Sequence, residues 1–266
     1  MIGRTARARG TGTWYRRGQS LKFALTRDRG ALVGFLRRAR GVADLGRRLG
    51  LLLAFERTTN AVRGYHTLAE MLVVTEAILA RPGAVVVEAG AGKGSSTAKL
   101  SLAVRAVGGR LHVFDSFRGL PDNDEVHQSF DGRVVRFRAG AFTGRLRAVE
   151  RVVAEHGAIE VCTFHKGWFA DTLPGFDAAV DVALLDVDLE ASTRQCLRHL
   201  VPRLTATGVA FSQDGHLRAV AALVADPAFW RDEVGVAPPR VVGAGERKLI
   251  EIHPPHSVAR AGANPG

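Results

Sequence analysis

Three glycines at alternate positions, in the pattern G-x-G-x-G, follow a run of β-branched residues in the first half of the chain. They are Gly90, Gly92 and Gly94. The run itself, Val85–Val87, is typical of a buried parallel strand, and a helical pattern begins at Ser95. Such a turn binds nucleotide-like ligands, because glycine lets the backbone approach the ligand and the helix start offers unpaired N–H groups. A dinucleotide fingerprint would require glycine at position 95, so an NAD-dependent reductase is the least favoured enzyme.

Acidic residues stand at the predicted ends of three further strands. Asp115 ends the next strand, where a carboxylate can accept the hydroxyls of a ribose. Asp186 and Asp188 follow the fourth predicted strand, and Asp214 follows the fifth. Adjacent strands lie about 4.8 Å apart, so these carboxylates come close and repel one another unless a cation separates them. Oxygen ligands favour Mg²⁺ over Ca²⁺ or Mn²⁺; the alternative is that one aspartate caps the following helix.

The order of predicted elements is that of an α/β protein with a mostly parallel sheet. The later strands are predicted at 160–164, 180–185 and 208–211, and an antiparallel pair at 236–242 and 248–252 closes the sheet. We expect four regions: a basic flexible leader (1–20), an N-terminal helical extension (21–80), a cofactor-binding domain (81–253) and a tail (254–266).

Positive charge is concentrated at the start of the chain. The formal net charge is +11; residues 1–50 carry thirteen basic and two acidic side chains, whereas the remainder carries 24 of each. A neutral body argues against a polycationic cleft for nucleic acid. Only two cysteines are present and no apolar stretch is of membrane-spanning length, so we expect a cytoplasmic protein without disulfides.

Apolar residues between positions 31 and 55 recur at helical spacing, which predicts one or two amphipathic helices interrupted near Gly41 and Gly46. The predicted buried stripe is Leu32, Phe35, Leu36, Val42, Leu45, Leu49, Leu52 and Leu53. Most of the arginines fall off this stripe. The main interpretation is packing on the core or on a second subunit; contact with an anionic membrane, an acidic substrate or a nucleic acid is left open.

Several longer motifs of the chain resemble motifs of known enzymes. Glu88 with the three glycines resembles the first motif of class I S-adenosylmethionine-dependent methyltransferases. The stretches Phe114–Pro121, Lys166–Pro174 and Leu185–Thr193 resemble, in the right order, three motifs of the macrocin and mycinamicin sugar O-methyltransferase family. Glu56-Arg57-Thr58 is similar to the segment that precedes the core of that family.

The resemblance implies a Rossmann-like class I methyltransferase sheet of seven strands with an antiparallel last strand. It further implies Mg²⁺-dependent methyl transfer from S-adenosylmethionine to a hydroxyl of a sugar or related small molecule. Separately, we expect a homodimer formed through the N-terminal helices. The expected cofactor-binding residues are Glu88, Gly90, Ala91, Gly92, Gly94, Ser95, Ser96, Asp115, Ser116, Gly167, Trp168 and Asp186. The expected catalytic residues are Asp188 and His216, and the expected metal ligands are Asp186, Asp188, Gln213 and Asp214.

Two positions depart from the family pattern. The family ends its fifth strand in Asp-Asp-Tyr, whereas this chain has Gln213-Asp214-Gly215, and position 190 is Glu where the family often has Tyr. An amide oxygen can still bind a hard cation, although more weakly. Two alternatives therefore stay open: an RNA methyltransferase that uses the basic leader, and a noncatalytic cofactor-binding or assembly protein.

Overall fold

The computed structural model describes Leu25, residues 29–39 and residues 44–255. The predicted leader (1–20), Gly41 and nearly all of the predicted tail lie outside these residues. The helices are α1 (Arg29–Arg37), α2 (Leu45–Ala61), α3 (Leu68–Leu79), α4 (Ser95–Ala106), α5 (Leu146–His156), α6 (Phe169–Thr172), α7 (Glu190–Leu200) and α8 (Arg218–Ala225). The strands are β1 (Val85–Ala89), β2 (Arg110–Asp115), β3 (His127–Gln128), β4 (Val134–Val135), β5 (Cys162–Lys166), β6 (Val180–Leu185), β7 (Leu204–Ser212), β8 (Arg240–Val242) and β9 (Ile250–His253).

Seven of the strands form one sheet in the order β5-β2-β1-β6-β7-β9-β8. β5, β2, β1, β6 and β7 pair in parallel, and β9 runs antiparallel to both of its neighbours. This confirms the predicted mostly parallel sheet with an antiparallel last strand. The third strand of the prediction begins two residues later than expected, because residues 159–161 form a 3-10 turn.

Each face of the sheet carries its own apolar core, because successive side chains of a strand point to opposite faces. Val86 and Leu184 pack with helices α1 to α5, whereas Val87 and Leu185 pack with α7 and with the turn at 229–234. The carboxyl ends of the parallel strands therefore open between two packed layers. Within the described residues, no helix is both long and apolar enough to cross a membrane.

Helices α1 and α2 contribute to the first core, but the predicted stripe is partly wrong. Leu32, Phe35 and Leu52 are buried, whereas Leu45, Leu49 and Leu53 are 51%, 44% and 55% exposed. The buried face of α2 is instead Arg48, Leu51, Leu52, Phe55, Thr58 and Thr59. Arg48 can lie in this face because its guanidinium pairs with Glu76 and donates to the Phe35 carbonyl.

The start of α2 also differs from the prediction. Gly46 does not interrupt a helix; it lies in the first turn of α2. Asp44 is the N-cap, and its Oδ1 accepts the N–H of Arg47 at 2.8 Å. A side-chain acceptor at this position satisfies one of the unpaired N–H groups of the helix start, which is why the helix can begin one residue before a glycine.

Candidate active site

A cavity of about 630 Å³ lies beyond the carboxyl ends of β1, β2, β6 and β7. Most of the predicted site residues line it: Gly90, Ala91, Gly92, Ser95, Ser96, Asp115, Ser116, Gly167, Trp168, Asp186, Asp188, Asp214 and His216. Glu88, Gly94 and Gln213 are not part of the lining. The volume lies within the range of small-molecule sites, and the position is the one at which open α/β sheets bind their ligands.

The glycine loop joins β1 to α4 and touches the acidic end of β6. Gly90 has a φ of 91°, and a Cβ added there would lie 2.1 Å from the carbonyl oxygen of Asp186. The N–H of Asp186 in turn donates to the Ala89 carbonyl at 2.9 Å. Only glycine allows this approach of two backbones. The glycine loop and the turn that carries the acids are therefore in direct contact.

A second glycine, which the sequence analysis missed, packs on the outer side of the loop. A Cβ on Gly144 would lie 1.7 Å from the carbonyl oxygen of Gly92. Gly144 stands just before α5, more than fifty residues after the loop it supports. Its backbone leaves no room for a side chain, so it fixes the position of the glycine loop.

Asp115 stands at the end of β2 and binds the glycine loop from below. Its Oδ2 accepts the N–H of Ala91 at 2.7 Å and that of Gly92 at 3.3 Å, and its Oδ1 accepts the N–H of Phe117 at 2.6 Å. Burial raises the pKa of Asp115, and the three N–H donors oppose this. A carboxylate has about four lone-pair sites, so Oδ1 retains capacity for a hydroxyl donor.

Glu88 is completely buried beneath the loop. Neither of its carboxylate oxygens has a hydrogen-bond partner in the described part of the chain. The hydroxyls of Ser96 and Thr97 lie nearby and favour the charged form, but burial dominates and raises the pKa of Glu88 to about 8. A buried acid without a partner is costly, and a cationic group bound above the loop would offset that cost.

Three aspartates meet where β6 and β7 end. Asp186, Asp188 and Asp214 each present one carboxylate oxygen, and these three oxygens lie within 4.8 Å of one another. Asp214 Oδ2 also accepts the N–H of Val187 at 3.3 Å. Asp188 has a φ of 61°, a left-handed conformation that is uncommon outside glycine and is concentrated at functional sites.

The electrostatics of this cluster favour a bound cation. Burial raises the pKa of Asp214 to about 7, and Asp186 adds to the shift while Lys248 opposes it. Burial, Asp214 and Asp186 together hold the pKa of Asp188 well above its usual range. Ionised carboxylates this close repel one another, and an oxygen-binding divalent cation would remove that repulsion.

Gln213, predicted as a metal ligand, turns its amide nitrogen away from the cluster. Its Nε2 donates to Glu70 Oε2 at 3.0 Å, and its Oε1 has no hydrogen-bond partner among the described residues. Glu70 comes from α3, where it also completes the capping box with Thr67. The amide that replaces an acid in this chain is thus held by a carboxylate from the N-terminal helices.

Two histidines belong to the site. His216, predicted from the sequence, lines the cavity, and its Nδ1 is buried without a hydrogen-bond partner in the described chain. His66, which the sequence analysis missed, has its Nε2 3.6 Å from Asp186 Oδ2. Burial lowers the pKa of both imidazoles. Both rings are therefore mainly neutral at pH 7. His66 lies just before the helix-start signal of Thr67, and nothing in its local pattern points to Asp186.

The segment from Ser116 to Arg145 forms an aromatic wall of the cavity. Phe142 lies edge-on to Tyr65 with ring centroids 5.2 Å apart, and Phe137 lies 6.0 Å from Phe142. Leu120 and Pro121 extend the same wall. Such a surface suits the apolar part of an organic acceptor.

Comparison with known proteins agrees with this geometry. Residues 56–239 match the family model of macrocin O-methyltransferase (TylF). A relative from Streptomyces olivaceus, 8-demethyl-8-(2,3-dimethoxy-alpha-L-rhamnosyl)-tetracenomycin-C 4'-O-methyltransferase, is 31% identical over 185 residues, which cover 66% of this chain and 69% of the relative.

Solved structures show the same fold. The O-methyltransferase NovP superposes with a TM-score of 0.63 at 19% identity, covering 78% of this chain and 99% of its own. The calicheamicin methyltransferase CalS11 superposes with a TM-score of 0.51 at 18% identity, covering 88% and 93%. The sheet is thus the Rossmann-like sheet of class I methyltransferases. With the family model matching most of its length, the chain belongs to the macrocin O-methyltransferase family.

Proposed function

We propose that this protein transfers a methyl group from S-adenosylmethionine to a hydroxyl of a sugar carried by a larger natural product, with a divalent cation at the acidic cluster. The observation that carries the proposal is that the glycine loop and the acidic cluster line the same cavity. The glycine loop meets the turn of Asp186 through the Gly90 backbone, so a cofactor on the loop and an acceptor on the acids would be neighbours.

The residues around the glycine loop fit a cationic nucleoside cofactor. Asp115 Oδ1 has capacity for a ribose hydroxyl, and the N-terminus of α4 offers N–H groups to a carboxylate. The buried carboxylate of Glu88 has no hydrogen-bond partner in the described part of the chain, which suits a nearby ammonium group. When bound, S-adenosylmethionine supplies an electrophilic methyl group.

The acidic cluster fits Mg²⁺ by the chemistry of its donors. Asp186, Asp188 and Asp214 offer oxygen atoms, and Gln213, next to Asp214 in sequence, has an Oε1 without a hydrogen-bond partner among the described residues. A bound Mg²⁺ would polarise an acceptor hydroxyl and ease its deprotonation. His66 Nε2 lies 3.6 Å from Asp186 Oδ2, and Lys248 favours the charged form of Asp214.

The protein groups then hold the acceptor and move one proton. The acceptor oxygen would bond to the methyl carbon as the carbon–sulfur bond of the cofactor breaks and S-adenosylhomocysteine leaves, and Asp188 would take the proton of the hydroxyl. His216 lines the same cavity as a neutral imidazole and can serve as a second proton acceptor. Because the displacement is in line, positioning and exclusion of water provide much of the rate.

The wall of the cavity indicates the acceptor class. Tyr65, Phe137 and Phe142 form an aromatic surface beside the acids, which suits a sugar attached to a flat apolar aglycone. The relative from Streptomyces olivaceus is named for such an acceptor, a rhamnosyl tetracenomycin. The lining holds more carboxylates than basic side chains, which disfavours RNA as the acceptor.

Calorimetry and a transfer assay test the proposal. We expect micromolar binding of S-adenosylhomocysteine, and methyl transfer to rhamnosylated aromatic polyketides that Mg²⁺ accelerates and a chelator suppresses. Failure to bind S-adenosylhomocysteine at micromolar concentrations would remove the cofactor assignment. Activity that a chelator leaves unchanged would remove the metal assignment, and activity on RNA would replace the acceptor class.

A further inference from the structure

We propose that Glu125 is a positioning residue: it holds the turn that carries Asp188 and ties that turn to the wall of the cavity. Glu125 belongs to the segment Ser116–Arg145, whereas Asp188 follows β6. The inference rests on the proposed function, because it gives Asp188 a part in the reaction.

Glu125 caps helix α7 from a distant part of the chain. Its Oε2 accepts the N–H of Glu190 at 2.8 Å, and its Oε1 accepts the N–H of Ala191 at 3.1 Å. The residue at the N-cap position is Leu189, which offers no side-chain acceptor. A helix start has unpaired N–H groups and a partial positive charge, and a carboxylate satisfies both. Glu125 therefore supplies the cap that the local sequence lacks.

The turn next to this helix start holds Asp188 in a strained conformation. The N–H of Leu189 donates to the Val187 carbonyl at 2.6 Å, which closes a three-residue turn with Asp188 at its centre. With its φ of 61°, this is the rare, strained form of such a turn. A conformation of this kind persists only where the surroundings fix it on both sides. Asp214 accepts the N–H groups of Val187 and Asp188 within the turn, and Glu125 accepts the two N–H groups that follow the turn.

The segment that carries Glu125 is also attached beside the second candidate base. The N–H of Phe130 donates to the His216 carbonyl at 3.1 Å, and Ser129 forms a β-bridge with Leu217. The same segment presents Leu120 and Phe137 to the cavity. The wall of the cavity is thus connected to the helix start that follows Asp188 and to the backbone of His216.

His127 makes the site of Glu125 a confined one. Its Nε2 lies 3.1 Å from Glu125 Oε2, and its side chain is 1% exposed. Burial lowers the pKa of His127, with Glu125 opposing the shift. The Glu125 carboxylate lies between the buried His127 ring and the start of α7, and these contacts restrict its position.

The test substitutes Glu125, which caps α7, and compares the effect with that of substituting Asp44, which caps α2. Glu125→Gln keeps the shape but leaves one oxygen for two N–H donors. We expect kcat for the acceptor to fall at least tenfold, with the affinity for S-adenosylhomocysteine within twofold of wild type. Hydrogen exchange at the amides of Asp188, Glu190 and Ala191 should accelerate. The matched control is Asp44→Asn at the start of α2, which should leave kcat and this exchange unchanged.

The outcomes separate this inference from the function on which it rests. Exchange needs no acceptor, so a wild-type protein that methylates nothing defeats the proposed function, while the exchange rates still decide whether Glu125 holds the turn. Unchanged exchange in Glu125→Gln would overturn the inference, as would accelerated exchange with unchanged kcat. If Glu125→Gln does not fold, Glu125→Asp, with its shorter carboxylate, is judged by the same two measurements.

Discussion

The backbone N–H of Asp188 donates to Asp214 Oδ2 at 3.0 Å, so one acid of the cluster orients the other across two strand ends. Asp214 is itself almost fully buried within the lining of the cavity. Its carboxylate therefore has two tasks: it holds the turn of Asp188, and it contributes negative charge to the cluster. Substitutions at the two positions should differ for that reason.

Asp188→Asn should abolish activity and stabilise the metal-free protein. Loss of a proton acceptor and metal ligand typically costs 10²–10⁴-fold in rate, and we expect kcat to fall at least 100-fold. The change removes one of three repelling carboxylates, and asparagine tolerates the left-handed conformation, so the melting temperature without metal should rise. Methyl-transfer assays and thermal unfolding with and without Mg²⁺ measure both. A fall in melting temperature, or activity equal to the exposed control Asp177→Asn, would contradict this.

Gly144→Ala should disturb the glycine loop from outside the cavity. The new Cβ would overlap the carbonyl oxygen of Gly92, so the loop must shift. We expect at least tenfold weaker binding of S-adenosylhomocysteine together with a lower melting temperature. Gly175→Ala is the matched control, because a Cβ there meets nothing within 4 Å. Equal affinities for the two variants in calorimetry would count against the role of Gly144.

Glu88 should make stability depend on pH. Below its ordinary pKa of 4.5 the carboxyl is protonated in the folded and the unfolded chain alike. As the pH rises from 4.5 to about 8, the unfolded chain ionises while the folded one resists, so the stability contributed by Glu88 is lost over that window. Glu88→Gln removes this dependence.

The measurement for Glu88 is the difference in unfolding free energy between variant and wild type across pH. At 1.36 kcal/mol per pKa unit, it should change in favour of the variant by on the order of 4 kcal/mol between pH 4 and pH 8. Denaturant unfolding without ligands measures it. A difference that stays constant with pH would show that the Glu88 carboxyl ionises equally in both states.

His66→Gln should weaken catalysis through Asp186. Partners that orient a metal-binding group are typically worth 10–100-fold in metal affinity or activity, and we expect kcat to fall within that range. Binding of S-adenosylhomocysteine should stay within twofold. His253→Gln is the control, because His253 Nε2 faces Glu251 at 3.1 Å on β9, a strand none of whose residues lines the cavity. Identical kcat for the two variants would remove His66 from the site.

The site residues that the sequence predicts correctly are those whose positions follow from the direction of the strands. Parallel strands bring their carboxyl ends to one edge, so Asp115, Asp186 and Asp214 could be assigned to one cavity without coordinates. Glu125 and Gly144 could not be assigned in this way, because both lie in the long connection between β2 and α5. Their contacts are with residues that are distant in the sequence.

The buried face of α2 was mispredicted for a different reason. The spacing of Leu45, Leu49 and Leu53 fits a helical period as well as the true face does. Hydrophobicity alone then selects the wrong face, because Arg48 is buried through its pairing with Glu76. That pairing depends on how α2 packs against α3, which periodicity within one helix does not specify.

The backbone contact between Gly90 and Asp186 fixes the distance between the glycine loop and the acidic cluster. Since both partners are main-chain atoms, the separation between the glycine loop and the acids is fixed by the backbones of two neighbouring strand ends, and no side chain adjusts it. On the proposed function, the aromatic and apolar residues of the wall from Ser116 to Arg145 can therefore change, and with them the acceptor that fits, without altering the distance between the methyl donor and the acids. New acceptors are then open to this scaffold through substitutions in that wall alone.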